Sequence, residues 1–217
     1  MRGIQMNENR AKRNDVLSKK IIDGLASRNM TGYYAQNKEE ALKIALSLIP
    51  EGSTIARGGS MSVNEIGLTE ALENGNYKFT NREKISDPDA KRQAEIDTYD
   101  SDIYLCSANA ITKDGVIVNI DGNANRVSAF AYGPRKVIAI VGMNKVAADV
   151  DAAMKRARNE AAPINAQRFG LSTPCTKTGM CMNCRIPDTI CCQFLITRYS
   201  KHNDRIHVIL VDDNLGF

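Results

Sequence analysis

The chain has 217 residues, of which 43% are hydrophobic and 25% charged, and its formal net charge is +4. This composition is typical of one globular domain with a substantial core and excludes a disordered chain. The mild charge, the lack of Trp and the lack of an aromatic RNA-binding motif argue against nucleic acid as a partner. The longest apolar run, 137–141, is far too short to span a bilayer, and no export signal is visible, so we expect a cytoplasmic protein.

The first half of the chain predicts helices alternating with a strand. An amphipathic helix is expected over about residues 10–30, where leucine and isoleucine recur at four-residue spacing. A second helix should begin at Asn37, which can cap it while Glu40 closes a capping box. A short strand over 53–56 runs into a glycine turn, and Asp87-Pro88 predicts another helix start.

The second half of the chain predicts mainly strands. Residues 103–106 form a short apolar strand, whose last residue, Cys106, should be buried. Residues 110–120 predict a hairpin, because Asp114-Gly115 supplies a tight turn. Residues 137–142 are apolar throughout, as in a central strand covered on both faces, and a long helix is expected from Val146.

This alternation indicates one α/β domain over residues 1–217, with an open, mostly parallel sheet flanked by helices. Residues 31–161 are its predicted α/β body, and residues 162–192 are a cysteine-rich loop attached to that body. Terminal strands within residues 190–212 are expected to form a β-hairpin closed by a polar turn.

The glycine turn is the best candidate small-molecule site. It reads Arg57-Gly58-Gly59-Ser60-Met61-Ser62, and Ser62 with Glu65 predicts a capping box at a helix start. Glycines admit a ligand to the backbone, and unpaired N–H groups at a helix start favour phosphate or carboxylate, with Arg57 as a charge partner. The turn matches neither a Walker A, a dinucleotide-binding nor a nucleophile-elbow pattern, so the alternative is a tight turn that merely feeds a helix.

A second candidate site is the polar segment 119–126, which follows another predicted strand. Open α/β sheets bind ligands at such positions. Asp121 is a candidate general base and Arg126 a carboxylate clamp, while Asn123 and Asn125 offer amide groups. The alternative is an ordinary turn in which an asparagine caps a helix.

Few other residues qualify for acid–base chemistry. The two histidines, His202 and His207, lie in a predicted turn and in the last strand, away from both candidate sites. This placement argues against a histidine-based triad or a histidine-rich metal site. Asp121, Glu65 and Lys145 remain as candidate catalytic residues, against the alternative that each is simply solvated.

Both candidate segments follow strands, so an open sheet should bring them to one crevice. We expect residues 59–62 to lie opposite Asn123 and Arg126 across a single pocket. A carboxylate or phosphate would sit between backbone N–H groups and a guanidinium.

Five of the six cysteines fall between Cys175 and Cys192, in a segment rich in Pro, Gly, Thr and Asn. The Cys181-x-x-Cys184 pair has the spacing of two metal ligands, and Cys175 and Cys191 can complete a four-sulfur set. Such a set accepts either zinc or an iron–sulfur cluster. Disulfide formation and exposed reduced thiols are the alternatives, although a chain of this length needs no disulfide.

Together these segments resemble the LUD-domain family, named for lactate utilisation, in its single-domain bacterial members. The resemblance extends from about Asp15 onward. Asn109, in the second matching segment, joins the candidate ligand-binding residues. Two departures are Ala124, where such sequences carry glycine, and Cys192, an additional thiol that makes the fourth ligand ambiguous. The matching segments are residues 57–68, 107–115, 119–127, 132–134 and 141–145, the cysteine tail and the closing Leu215-Gly216-Phe217.

The resemblance implies an open α/β fold like that of ribose-phosphate isomerases, glucosamine-phosphate deaminases and CoA transferases. It also implies a link to the oxidation of L-lactate to pyruvate alongside iron–sulfur partner proteins. The chain carries no flavin or nicotinamide fingerprint, so hydride chemistry would need a flavin or iron–sulfur partner. The resemblance assigns no catalytic residue.

Three hypotheses follow from these observations. The first is a protein of 2-hydroxy-acid metabolism that binds a small anionic metabolite and a thiolate-ligated metal centre within an electron-transferring assembly. The second is a stand-alone isomerase or transferase acting on a phosphorylated or acyl substrate, with a structural zinc. The third is a non-catalytic ligand-sensing module. None involves nucleic acid or a membrane, and a homo-oligomer is compatible with each.

Overall fold

In a computed structural model that describes residues 8–217, the chain folds around two β-sheets. The strands of this described part, numbered in chain order, are β1 (Thr31–Ala35), β2 (Thr54–Arg57), β3 (Lys78–Thr80), β4 (Ile103–Cys106), β5 (Ala110–Thr112), β6 (Ile117–Asp121), β7 (Lys136–Gly142), β8 (Val146–Ala147), β9 (Gln193–Thr197) and β10 (Ile206–Val211).

Helices occupy most of the connections between strands. They are α1 (Glu8–Ser27), α2 (Lys38–Ser47), α3 (Met61–Glu65), α4 (Leu68–Asn74), α5 (Pro88–Asp97), α6 (Asn125–Ala131), α7 (Val150–Arg156), α8 (Ala162–Arg168) and α9 (Pro174–Thr178). A π-helical turn, Ala157–Ala161, joins α7 to α8. No helix within residues 8–217 is long and apolar enough to cross a membrane.

The larger sheet has six strands in the order β1-β10-β7-β4-β2-β3, and every neighbouring pair is parallel. Its central strands, β7 and β10, are buried almost throughout, because their apolar residues face helices on both sides of the sheet. The predicted open α/β architecture is confirmed, and so is the central position of residues 137–142.

Alternate residues of β7 divide the core into two layers. Val137, Ala139 and Val141 pack into the cluster that contains Leu25 of α1. Ile138 and Ile140 point the other way, into the cluster that contains the alanines of α2. Successive side chains of a strand face opposite sides of a sheet, so one apolar strand stabilises both layers. Each fully buried isoleucine contributes about 1.5–3 kcal/mol.

The smaller sheet has the order β8-β5-β6-β9. Its β5–β6 hairpin confirms the turn predicted at Asp114-Gly115, where Gly115 has φ +87° and donates to the carbonyl of Thr112 at 3.0 Å. Strand β9 pairs antiparallel with β6, from Asp121↔Gln193 to Ile117↔Thr197. Strand β9 directly follows the cysteine-bearing segment in the chain.

The predicted C-terminal β-hairpin is wrong. Strand β9 belongs to the smaller sheet, whereas β10 lies between β1 and β7 in the larger one. The difference in burial explains the outcome: all six residues of β10 are buried, while Phe194 and Ile196 of β9 remain exposed. A strand that is apolar except for His207 lowers the free energy most by taking a central position in a covered parallel sheet.

Two predicted boundaries also move. Residues 162–168 belong to a helix rather than to the cysteine-rich loop, because Ala162, Pro163 and Ala166 are buried. The preceding helix begins at Val150 rather than Val146, after Asp149 accepts a hydrogen bond from the N–H of Ala152 at 2.8 Å.

The predicted helix caps have mixed outcomes. Asn37 and Asp87 cap α2 and α5 as expected. The cap of α3 is Ser60, whose hydroxyl accepts from the N–H of Val63 at 3.3 Å, and not Ser62. This shift by two residues leaves the Ser62 hydroxyl available for other contacts.

Ala124 adopts a left-handed backbone conformation with φ +64°, immediately before α6. A Cβ atom is strained in this region, so Ala124→Gly should raise the free energy of unfolding by about 1 kcal/mol. Gly67→Ala is the matched reverse change, because Gly67 has φ +78° and a new Cβ would meet only Leu42, at 3.9 Å. Denaturant unfolding should therefore show a higher free energy of unfolding for Ala124→Gly and a decrease of similar size for Gly67→Ala.

Candidate functional site

A cavity of about 440 Å³ opens where several strands of the two sheets end. The glycine turn enters it after β2, Ser107 after β4, and Asp121 at the end of β6. Lys145 reaches it from the 3₁₀ turn that follows β7. The site thus occupies the crevice beyond the carboxyl ends of strands, where open α/β sheets bind ligands.

The two candidate segments of the sequence meet around this cavity. Gly59, Ser60, Met61 and Ser62 line it, and so do Asn109, Asp121, Asn123, Asn125, Arg126 and Lys145. Three other candidates, Arg57, Gly58 and Glu65, are absent from its lining. Glu65 instead accepts a hydrogen bond from the N–H of Gly216 at 2.8 Å.

Arg57 is turned away from the cavity and is 3% exposed. Its guanidinium contacts Asn64, Thr69 and the carboxylate of Glu83. These partners satisfy a buried cation that would otherwise be costly to desolvate. Arg57 therefore anchors the end of α3 and the start of α4 rather than facing a ligand.

The two glycines of the turn differ in their surroundings. A Cβ on Gly58 would collide with the hydroxyl of Tyr104, and it would lie 3.4 Å from Cγ of Arg126. A Cβ on Gly59 would meet only the Glu83 carboxylate, at 3.6 Å, on the cavity side of the turn. Gly58 is thus required for packing, whereas Gly59 leaves room within the cavity.

Asp121 has a structural role that the sequence analysis did not assign to it. Its carboxylate accepts from the N–H groups of Arg126 at 2.8 Å and Val127 at 3.1 Å. It thereby caps α6 in place of Ala124, which has no capping side chain. A side-chain contact of 3.3 Å with Arg126 completes an ion pair. With these bonds made, Asp121 is poorly placed to act as a mobile base.

Two asparagines of the site, Asn109 and Asn125, also have partners. Asn109 accepts from the N–H of Ile120 at 2.8 Å, and Asn125 donates to Glu95 at 2.7 Å. Arg126 donates through Nη2 to the carbonyl of Ile120 at 2.7 Å, but its Nη1 has no hydrogen bond within residues 8–217. That free group is the guanidinium edge available to an anion.

Lys145 lies at the floor of the cavity and contacts two serine hydroxyls. Its Nζ is 3.0 Å from Oγ of Ser62 and 3.0 Å from Oγ of Ser107. Burial, and then the nearby Arg156, lower the pKa of Lys145 to about 7. Sequence reasoning did not single out Ser107. Its position directly after the apolar strand β4 was the signal that could have identified it.

Charge in the cavity is unevenly distributed. Its three carboxylates, Glu83, Glu95 and Asp121, are each paired with an arginine. Lys91 and Arg168 also line it and form no ion pair among the described residues. Even with Lys145 neutral, this excess of cations favours an anionic ligand.

The cysteine-bearing segment lies beside the cavity. Ile190 lines it and packs against Gly122, whose Cβ, if present, would lie 3.1 Å from Cα of Ile190. The N–H of Cys192 donates to the carbonyl of Asp121 at 3.0 Å. The segment that leads from the cysteines into β9 thus packs and hydrogen-bonds against residues that line the cavity.

The cysteines of this segment differ in their exposure. Cys175, Cys181, Cys184 and Cys191 are each partly buried, whereas Cys192 is exposed. Burial, and then the thiols of Cys181, Cys175 and Cys184, raise the pKa of the Cys191 thiol to about 11. Within residues 8–217, no three His, Cys, Asp or Glu side chains are arranged closely enough to hold a metal ion.

The sixth cysteine, Cys106, is buried at the end of β4, as expected from its apolar neighbours. Burial raises the pKa of its thiol to about 12, so it is protonated at neutral pH. It borders the cavity as a neutral, weakly polar group.

The contrast between the two glycines is testable by stability alone. Gly58→Ala should lower the free energy of unfolding by about 2 kcal/mol, because the Tyr104 hydroxyl must be displaced. Gly59→Ala should change it by less than about 0.5 kcal/mol. Chemical denaturation of both variants measures the difference, and equal losses would contradict the assigned packing.

Comparison with known proteins was made against family models, curated proteins and solved structures. The family model described as the LUD domain matches residues 18–211. No curated protein gives a significant match. A solved structure described as a DUF162-family protein from Deinococcus radiodurans has a similar fold, with a TM-score of 0.52 and 15% identity over 95% of this chain and 99% of that one. The chain belongs to the LUD domain family, which is associated with lactate utilisation.

Proposed function

We propose that the cavity binds the carboxylate of a small 2-hydroxy or 2-oxo acid and that the protein serves lactate utilisation within an electron-transferring assembly. The observation that carries this proposal is the charge of the cavity: its carboxylates are all paired, while Lys91, Arg168 and one edge of Arg126 are not. The family's association with lactate utilisation supplies the metabolic setting.

Arg126 is the proposed carboxylate anchor. Its Nε and Nη2 donate to the carboxylate of Asp121, and Nη2 also donates to the carbonyl of Ile120. These bonds hold the guanidinium in one orientation, and Nη1 has no hydrogen-bond partner among the described residues. An arginine held in this way loses little side-chain entropy on binding. The N–H groups of Met61 and Ser62, which make no hydrogen bond within residues 8–217, are additional donors.

We further propose that Cys175, Cys181, Cys184 and Cys191 form the thiolate set of a metal centre. Cys191 is preferred over Cys192 because it is partly buried beside the other three, whereas the thiol of Cys192 is directed to the carbonyl of Thr189, at 3.6 Å. Cys181 accepts hydrogen bonds from Arg158 at 3.3 Å and from the N–H of Asn183 at 3.5 Å. Such donors stabilise thiolates and tune cluster potentials.

The donor set suits either zinc or an iron–sulfur cluster, and the two would supply different chemistry. Zinc would fasten the segment to the wall of the cavity, whereas a cluster would carry single electrons. Oxidation of a 2-hydroxy acid releases two electrons, and this chain has no flavin or nicotinamide fingerprint. The proposal therefore includes an iron–sulfur or flavin partner protein as the electron acceptor.

Binding of L-lactate and pyruvate tests the cavity assignment by calorimetric titration. Arg126→Met should weaken binding at least about tenfold, because it removes a charge-assisted hydrogen bond. Gly59→Val should also abolish binding, since its side chain would fill ligand space with little effect on packing. Arg135→Met is the matched control: that side chain is 75% exposed and lies outside the cavity. If neither acid binds the wild-type protein, the assignment fails.

Metal analysis after anaerobic purification tests the cysteine assignment. Cys184→Ser should release the metal, whereas Cys106→Ser and Cys192→Ser should retain it. A visible absorption band lost on reduction would indicate a cluster, and its absence with bound zinc would indicate a structural site. Equal metal content in the wild type and the Cys184 variant would rule out the proposed ligand set. Loss of the metal in Cys192→Ser would identify Cys192, rather than Cys191, as the fourth ligand.

A further inference from the structure

We propose a second activity for this cavity: Ser62 acts as a nucleophile and Lys145 as its general base in acyl transfer from an ester or thioester of a small acid. The inference rests on three side chains, Ser62, Ser107 and Lys145, that line the cavity together. It does not depend on lactate binding or on a metal centre.

The geometry of the three groups is that of a hydrogen-bonded nucleophile and base. Nζ of Lys145 lies 3.0 Å from each serine Oγ, and the two Oγ atoms are 3.3 Å apart. Ser107 is fixed by a short bond of 2.6 Å to the carbonyl of Ile140. The proton of Ser107 is thus directed to the backbone, and its oxygen is left as an acceptor for Lys145.

The hydrogen-bond count identifies which serine is activated. Because the proton of Ser107 is directed to the carbonyl of Ile140, the Ser62 hydroxyl has two possible acceptors among residues 8–217: Oγ of Ser107 at 3.3 Å and Nζ of a neutral Lys145 at 3.0 Å. The amine is the nearer of the two and the stronger base, and it can still donate to Ser107. Ser62 is therefore the hydroxyl whose proton faces a base.

The environment supports the neutral amine. Lys145 is 3% exposed, and burial with the nearby Arg156 holds its pKa near 7. Ser62 is 1% exposed and Gly216 packs against it, since a Cβ on Gly216 would lie 2.8 Å from Oγ of Ser62. The excess of cations around the cavity favours an acyl substrate that carries an anionic group.

The reaction is balanced without an oxidant or a reductant. Oγ of Ser62 bonds to the carbonyl carbon while its proton passes to Nζ of Lys145. The ammonium then returns this proton to the leaving alkoxide or thiolate as the bond from the carbonyl carbon to that group breaks. Water repeats the sequence on the acyl-serine, releasing the acid and restoring Ser62 and the neutral lysine.

The probe for the test is p-nitrophenyl acetate, with release of p-nitrophenolate followed by absorbance and the acetyl adduct located by peptide mass spectrometry. We expect acetylation of Ser62 and a rate that rises with pH through about 7, as Lys145 loses its proton. Ser62→Ala and Lys145→Met should each lower the rate about 100-fold or more. Ser128→Ala and Lys113→Met, outside the cavity, are the matched controls and should leave it unchanged.

Several results would overturn the proposal: no release above the uncatalysed rate, an adduct on Lys145 or another residue, or full activity in Ser62→Ala. Thermal melting establishes whether each variant is folded. If Lys145→Met does not fold, the pH profile of the wild-type protein decides the role of the lysine, because a rate without an inflection near the expected pH excludes it. Failure of lactate binding leaves all of these readouts intact, so the two proposals are tested separately.

Discussion

The parallel packing of β7 between β4 and β10 is the constraint on which the rest of the structure depends. Because β7 is apolar on both faces, it must be covered by helices on both sides, and this fixes the direction and level at which its neighbours end. Ser107 leaves β4 and Lys145 follows β7 at the same edge of the sheet. Ser107 is further tied to β7 through the carbonyl of Ile140.

The charged residues around the cavity divide into those that hold the structure and those that remain available. The sequence made Arg57 a ligand-binding candidate and Asp121 a candidate general base, yet both have their hydrogen-bonding capacity used by neighbouring residues. Lys145 is different, because its only described partners are two hydroxyls. A buried amine without a carboxylate partner is costly to keep charged, and such positions are frequent at functional sites.

The cysteine segment is linked to the cavity through the backbone. Cys192 donates to Asp121, and Ile190 packs on Gly122, so the residues that flank Cys191 also form part of the cavity wall. A metal centre on these thiols would therefore be mechanically coupled to the capping of α6.

The sequence by itself determined the local features. The caps at Asn37 and Asp87, the turn at Gly115 and the buried apolar strands follow from local hydrogen bonding, backbone freedom and the period of the apolar residues. The crevice between the two candidate segments could also be predicted from the sequence, because strand ends in open sheets share an edge.

Only the tertiary structure decided the contacts between distant segments. Strand β9 precedes β10 in the chain, but the two join different sheets, because complete burial is available to β10 only between β1 and β7. The same limit hid the pairing of Lys145 with Ser62, which lie 83 residues apart. No local propensity encodes such a contact: it arises when packing of the core brings strand ends together and buries one amine beside two hydroxyls.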